Sequence, residues 1–256
     1  MYDFRKHLLH WGNVVGVWRQ ARELLAILAL VLISNTAFAA PFYVPSGSME
    51  PTLAIGDYIF ASKFDYGYSR YSVPFGLGPQ SDTRLLGKIP ARGDVVVFRL
   101  PSNPSVTYVK RVIGLPGDHI QMREGRLYIN DVIVPIKADG TANVEMSDGK
   151  SVPAQRFIET LPGGVTHPIY KWRDWPYDNT QEFVVPPGHL FMMGDNRDDS
   201  ADSRVPVEYE GVGYVPMENL VAHARIVVGS YDFLNAKSVG TWLGQIRFSR
   251  FFHGIH

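Results

Sequence analysis

The sequence predicts a mainly β fold: an antiparallel coiled β-sheet domain with an inserted smaller β lobe, preceded by one N-terminal transmembrane helix. Three observations carry the prediction. Short apolar runs separated by Gly, Pro, Asn and Asp recur from residue 57 to residue 228. The 24 Gly, 18 Pro, 13 Tyr and 14 Phe suit turns and strands better than a helical bundle. One uncharged run, residues 24–44, stands apart from everything downstream. At 256 residues the chain can hold one large domain or two small ones.

The uncharged run reads LLAILALVLISNTAFAAPFYV, with Ser34, Asn35 and Thr36 as its polar members. Roughly 20 helical residues cross a hydrocarbon core, so its length is sufficient. It has no polar face, unlike a helix packed on a soluble core. Arg5, Lys6, Arg19 and Arg22 precede it against Asp3, which favours a cytoplasmic N-terminus. A cleaved signal peptide is the competing reading, because Ala37-Phe38-Ala39 fits a small-x-small cleavage site. The charged segment ahead of the run is too long for that, so an uncleaved anchor is favoured. The predicted layout is residues 1–22 in the cytoplasm, 23–44 in the membrane and 45–256 outside.

Beyond the anchor, Asp57–Lys63 alternates as a half-buried strand does, whereas Gly93–Leu100 (GDVVVFRL) reads as a strand buried on both faces. Thr107–Ile113 is a further strand, ending in the turn Gly-Leu-Pro-Gly-Asp. Leu127–Pro135 predicts a hairpin turning at Asn130-Asp131. Gln181–Val185, His189–Met193, Gly211–Val215 and Leu220–Val228 complete the set. The core is assigned to about 45–65, 89–118 and 186–235, and the inserted lobe to about 66–88 and 119–185. The tail Thr241–His256, with Arg247 and Arg250 among aromatics, reads as a surface helix or as a segment touching lipid headgroups.

Composition removes whole classes of function. Lys+Arg and Asp+Glu are both 25, so the formal net charge is zero, which argues against a nucleic-acid binder. There is no Cys, which excludes disulfides, thiol nucleophiles and Cys-based metal sites. H-E-x-x-H, G-x-S-x-G, Walker and G-x-G-x-x-G motifs are absent, and the eight His show no metal-ligand spacing. Neither cofactor nor metal is expected. Ser147-Asp148-Gly149-Lys150 matches S-x-x-K but sits on an Asp-Gly turn without the companion elements.

Three segments can carry chemistry. Pro45-Ser46-Gly47-Ser48-Met49-Glu50-Pro51-Thr52 is a loop bounded by prolines, offering two hydroxyls and a backbone N–H. A serine nucleophile needs that setting, although a linker leaving the membrane has the same composition. In Tyr108-Val109-Lys110-Arg111-Val112, strand alternation sends Lys110 and Arg111 to opposite faces, so one of them faces the interior. A desolvated Lys loses its proton readily and serves as a general base; an exposed edge Lys does not. The segment Gly194–Arg204 (GDNRDDSADSR) is too irregular for an EF-hand and reads as a turn with internal ion pairs.

Four stretches together resemble the bacterial type I signal peptidases, membrane-bound Ser–Lys endopeptidases. They are PSGSMEPTL at 45–53, RGDVVVF at 92–98, YVKRVIGLPGD at 108–118 and GDNRDDSADSR at 194–204. The resemblance implies Ser48 as nucleophile and Lys110 as general base. It implies an oxyanion hole of the Ser46 hydroxyl and the Ser48 N–H, with Ser200 hydrogen-bonded to Lys110 and Asp202 and Arg204 bracing the site. The implied partners are signal peptides of exported preproteins, cut after small residues at −1 and −3, and membrane lipid. A single-pass, monomeric protein of the bacterial inner membrane is expected, with its catalytic domain on the periplasmic side. The chain's own Ala37-Phe38-Ala39 would then be open to slow self-cleavage. A specialised peptidase of a conjugation or organelle system, a self-cleaving repressor and an inactive anchored scaffold are the rival readings. The repressor would need a DNA-binding module where residues 1–44 supply an anchor.

Overall fold

The structure, a computed structural model, describes residues 16–31, 39–73, 84–145, 151–232 and 244–256. Helix α1 covers residues 16–31, and its side chains are exposed along nearly all of its length. The strands, in chain order, begin with β1 Ala39–Tyr43, β2 Asp57–Ser62, β3 Val95–Leu100 and β4 Asn103–Gly114. Next come β5 His119–Arg123, β6 Arg126–Ile129, β7 Val132–Ile133, β8 Ile136–Glu145, β9 Ser151–Thr160, β10 Thr166–Lys171 and β11 Phe183–Val184. The last four are β12 His189–Met193, β13 Val215–Pro216, β14 Leu220–Ser230 and β15 His253–Gly254. All strand pairings are antiparallel, as the turn-rich sequence predicts.

The main sheet has the order β1-β2-β14-β3-β4-β12-β13, with β15 added to β14. Its central strand β3 is buried on both sides. Val95 and Val97 join a core with Met49, Leu53, Ile59 and Ala61, while Val96 and Phe98 join another with Val112, Leu190 and Met192. That is the reading its unbroken apolar run gives. The segment between β4 and β12 forms two small sheets, β11-β5-β6-β7 and β10-β9-β8. The first packs Ile120, Met122, Leu127 and Ile129 against Ile113 of β4 and Phe191 and Met193 of β12. The β6–β7 hairpin turns at Asn130 and Asp131, both with positive φ of 54° and 62°, which Asn and Asp tolerate and a right-twisted two-residue turn requires.

Several expectations need correction. The expected membrane segment extends to residue 44, but Ala39–Tyr43 is strand β1, paired with β2 from Ala39↔Ser62 to Tyr43↔Tyr58. Pro41 and the aromatic residues that follow it fit an edge strand better than a helix. Among the described residues no helix is long and apolar enough to cross a membrane. Of the Ala37-Phe38-Ala39 site, Ala37 and Phe38 lie outside the described residues, and Ala39 is the first residue of β1, opposite Ser62. The described parts of 66–88 do not enter the inserted lobe. Tyr66 packs in the main core, and the Arg84 guanidinium donates to the carbonyls of Tyr66, Gly67 and Leu220. The described tail, 244–256, is 3-10 turns and the short β15 rather than a helix. Ser147–Lys150 lies outside the described residues.

Candidate active site

Ser48 sits where two strands of the main sheet leave their backbones unpaired. β1 is an edge strand, and β4 is paired to β12 only along Arg111–Gly114. The free edge of β4 therefore faces the cleft that β1 borders on the other side. This cleft of about 480 Å³ is lined by Phe42–Ser48 and Val106–Lys110, with Ile59 and Val97 beneath. Ser46 is extended (φ −133°, ψ 153°), and Gly47–Met49 make one 3-10 turn. Met49 and Leu53, both fully buried, anchor the loop in the core. In such a turn the first N–H groups lack intrahelical partners, so the Ser48 N–H is available to an incoming oxygen.

The loop is held from the other side by the turn after β12. The Asn196 N–H donates to the Ser48 carbonyl at 3.2 Å, and its side-chain amide to the Gly47 carbonyl at 3.3 Å. Gly194 is obligatory here: a Cβ would collide with the Ser48 carbonyl and the Ser200 hydroxyl. The Lys110 ammonium reaches the Ser48 hydroxyl directly. Lys110 is 2% exposed, and burial lowers its pKa to about 8, although Asp202, Asp195 and Asp199 favour its charge. The Ser46 hydroxyl lies 3.4 Å from that of Ser48.

Strand alternation requires that one of Lys110 and Arg111 face the interior; both are buried. The reason is that the turn after β12 and the inserted lobe cover the far face of β4. Arg111 donates to Asp195 through Nε (2.9 Å) and Nη2 (2.7 Å), and to the carbonyls of Gly93 and His256. Asp195 also accepts from the Thr52 hydroxyl of the nucleophile loop. His167 of β10 lies between Asp195 (3.3 Å) and Glu159 of β9 (3.2 Å), and Glu159 pairs with Arg197 through both oxygens. Burial alone would raise both carboxylates, but Arg111 and His167 hold Asp195 far below its usual range, and Arg197 and His167 bring Glu159 down to about 2. One buried chain of charge thus joins the inserted lobe, the turn after β12 and the nucleophile loop.

Of the supporting residues, Arg204 donates to both oxygens of Asp202, whose carboxylate also accepts from the Gly194 N–H. Burial opposes the Asp202 charge, but Arg204 and the Gly194 N–H outweigh it and lower the pKa. The implied hydrogen bond from Ser200 to Lys110 is not made. The Ser200 hydroxyl is buried without a partner, because the Lys110 ammonium is directed at Ser48. The segment 194–204 is a turn with internal ion pairs only in part. Asp202–Arg204 closes on itself, whereas Asp195, Arg197 and Asp198 pair outward with Arg111, Glu159 and Lys171. Sequence reasoning singles out none of Asn196, His167 or Glu159. His167 and Glu159 lie in a polar stretch with no periodicity, and only their burial reveals them. Among the described residues no group of three acidic or His side chains is arranged to hold a metal ion.

The family model described as signal peptidase, peptidase S26, matches residues 17–229. The signal peptidase I of Rickettsia conorii is 37% identical over 251 residues, 90% of this chain and 90% of its own. That of Rickettsia massiliae is 37% identical over 267 residues, 96% of this chain and 92% of its own. The crystal structure of a signal peptidase I from Enterococcus faecalis aligns with 53% of this chain and 97% of its own, at 26% identity and a TM-score of 0.31. The segments that build the cleft, from the Ser48 loop through β4 to the turn after β12, all fall within the matched region, and on that match the chain belongs to the signal peptidase family, peptidase S26.

Proposed function

We propose that the protein removes signal peptides from exported preproteins as a Ser–Lys endopeptidase, with Ser48 as nucleophile and Lys110 as general base. The observation that carries this reading is the Lys110 ammonium on the Ser48 hydroxyl, buried at the end of an apolar cleft between two free strand edges. An extended peptide laid between β1 and β4 adds a strand to both and brings its scissile carbonyl to Ser48. Neutral Lys110 takes the Ser48 proton as the oxygen attacks, and the Ser48 N–H and Ser46 hydroxyl receive the oxyanion. The proton passes to the leaving amine, and water activated by Lys110 then releases the acyl group. Once protonated, Lys110 needs an acceptor, and the unpartnered Ser200 hydroxyl is placed to provide it, with Asp202 and Arg204 fixing the turn. The apolar floor of Ile59 and Val97 suits small residues at −1 and −3.

The same reading assigns residues 1–22 to the cytoplasm and the segment from residue 23, with its apolar run from Leu24, to an anchor ending before β1, with the sheet domain outside a bacterial inner membrane. It takes the protein as a monomer acting without a cofactor. The test is to incubate the full-length protein in detergent with a preprotein and sequence the new N-terminus, with Lys110→Ala alongside. Cleavage after a small-x-small site, lost in the variant, is the expected result. Cleavage that survives in Lys110→Ala would remove the base, and no cleavage of several preproteins would favour an inactive scaffold or a specialised peptidase.

A further inference from the structure

The turn after β12 carries four carboxylates, and three of them are committed. Asp195 is bound by Arg111 and Thr52; Asp198 accepts from Lys171 and from the N–H groups of Trp172 and Arg173; Asp202 is bound by Arg204. Asp199 differs in every respect. Its side chain makes no hydrogen bond or ion pair among the described residues, it is half-buried where the others are fully buried, and it lines the cleft beside Ser48, Lys110 and Ala201. Its backbone is fixed, the N–H donating to the Asn196 carbonyl at 3.2 Å, which keeps the residue at the wall of the cleft.

We infer that Asp199 is a specificity-determining residue that selects substrates by the charge next to the scissile bond, favouring Lys or Arg over Asp or Glu at −2 and +1. The inference rests on the peptidase reading above. Along an extended substrate, side chains alternate, so −1 and −3 share the face toward the apolar floor while −2 points to the opposite wall. The −2 and +1 positions are therefore the ones nearest the bond that can bring a charge. A single unpaired carboxylate in a partly desolvated cleft attracts a cation and repels an anion without any covering partner. Lys110 in its neutral form, the form that reacts, leaves that field uncancelled.

The test uses the full chain in neutral detergent and three peptides identical except for Lys, Gln or Glu at −2, with a second set varied at +1. The expected kcat/KM ratio of Lys to Glu peptide is about fivefold in at least one set at low salt, shrinking as salt screens the half-exposed carboxylate. Asp199→Asn brings the ratio close to one, and Asp199→Lys inverts it. Each ratio is taken within one protein preparation, so partial misfolding of a variant cancels. A ratio that is unchanged in both variants, or absent in the parent while the Gln peptide is cleaved, overturns the inference alone. Failure of the parent to cleave even the Gln peptide overturns the peptidase reading and this inference with it.

Discussion

Lys110 and Arg111 are neighbours on one strand, both buried, and the two faces of β4 treat their charges in opposite ways. On one face Arg111 is saturated, with a carboxylate and two backbone carbonyls around its guanidinium. On the other Lys110 meets the cleft and a single hydroxyl, and burial brings its pKa down to about 8. Solvation withheld makes a base; solvation replaced makes a structural cation. The difference also explains the residue types. Arg holds its charge under nearly all conditions and presents a planar fork to Asp195, while Lys can give up its proton.

The sharpest way to break the comparison is to exchange one cation type for the other. Lys110→Arg keeps a positive charge beside Ser48 but removes the proton acceptor. A loss of about 10⁴-fold or more in kcat/KM on a preprotein is expected, as for other catalytic dyads. Appreciable activity in Lys110→Arg would show that the base lies elsewhere. On the opposite face, Asp195→Ala leaves the buried Arg111 guanidinium with main-chain oxygens and the Thr52 hydroxyl but no counter-charge. Breaking a buried pair from one side costs about 3–5 kcal/mol, so denaturant melting should show a large fall in stability. A change below about 1 kcal/mol would mean that the neutral oxygens of Gly93, His256 and Thr52 suffice.

What is legible in the sequence follows the same division. The residues aimed at the cleft, Ser46, Ser48 and Lys110, stand in compact local patterns, and so does the apolar run of β3. Arg111 is visible as a residue but not as a buried one, because its burial depends on elements distant in the chain. Glu159 and His167 sit on strands such as β9 (SVPAQRFIET), whose exposed, polar composition hides the two side chains that turn inward. Strands β8 to β10 escape sequence reading for the same cause: they pack mainly against one another, so no apolar periodicity marks them. The tail misleads differently. Its aromatics suggest a helix, but Gly254 pairs with Ile226 and draws it onto the edge of β14 as β15.

The Lys110 face has a stability consequence with a definite sign. Its folded pKa, about 8, lies below the value of 10.5 for a free Lys. The unfolded chain therefore binds more protons between these values, and stability rises with pH across that window. Below about pH 8 the full cost of the buried ammonium is present, about 3 kcal/mol, since each tenfold loss of proton affinity corresponds to about 1.4 kcal/mol. Lys110→Met removes that cost, and the variant should be more stable than the parent by up to about 3 kcal/mol at pH 7, with the gain shrinking toward pH 10.5. Melting curves at both pH values check this. A variant less stable than the parent at pH 7 would show that the bond to Ser48 outweighs desolvation.

The smallest expected effect concerns the step at which the two faces become alike. When Lys110 accepts the Ser48 proton it becomes a buried cation, as Arg111 always is, and it then needs an oxygen other than the one that has just become acylated. Ser200 is buried, lies against Gly194, and keeps its hydroxyl unpartnered before reaction. A hydroxyl idle in the resting enzyme adds little to stability, because its desolvation is not offset by a bond. Ser200→Ala should therefore melt within about 0.5 kcal/mol of the parent while kcat falls about tenfold and KM stays level, the pattern of a contact made only on the way to the transition state. A Ser200→Ala variant with unchanged kcat would leave the Lys110 ammonium to be solvated by Asp202 and Asp199 alone. A variant that loses stability in step with activity would make Ser200 a packing residue of the turn.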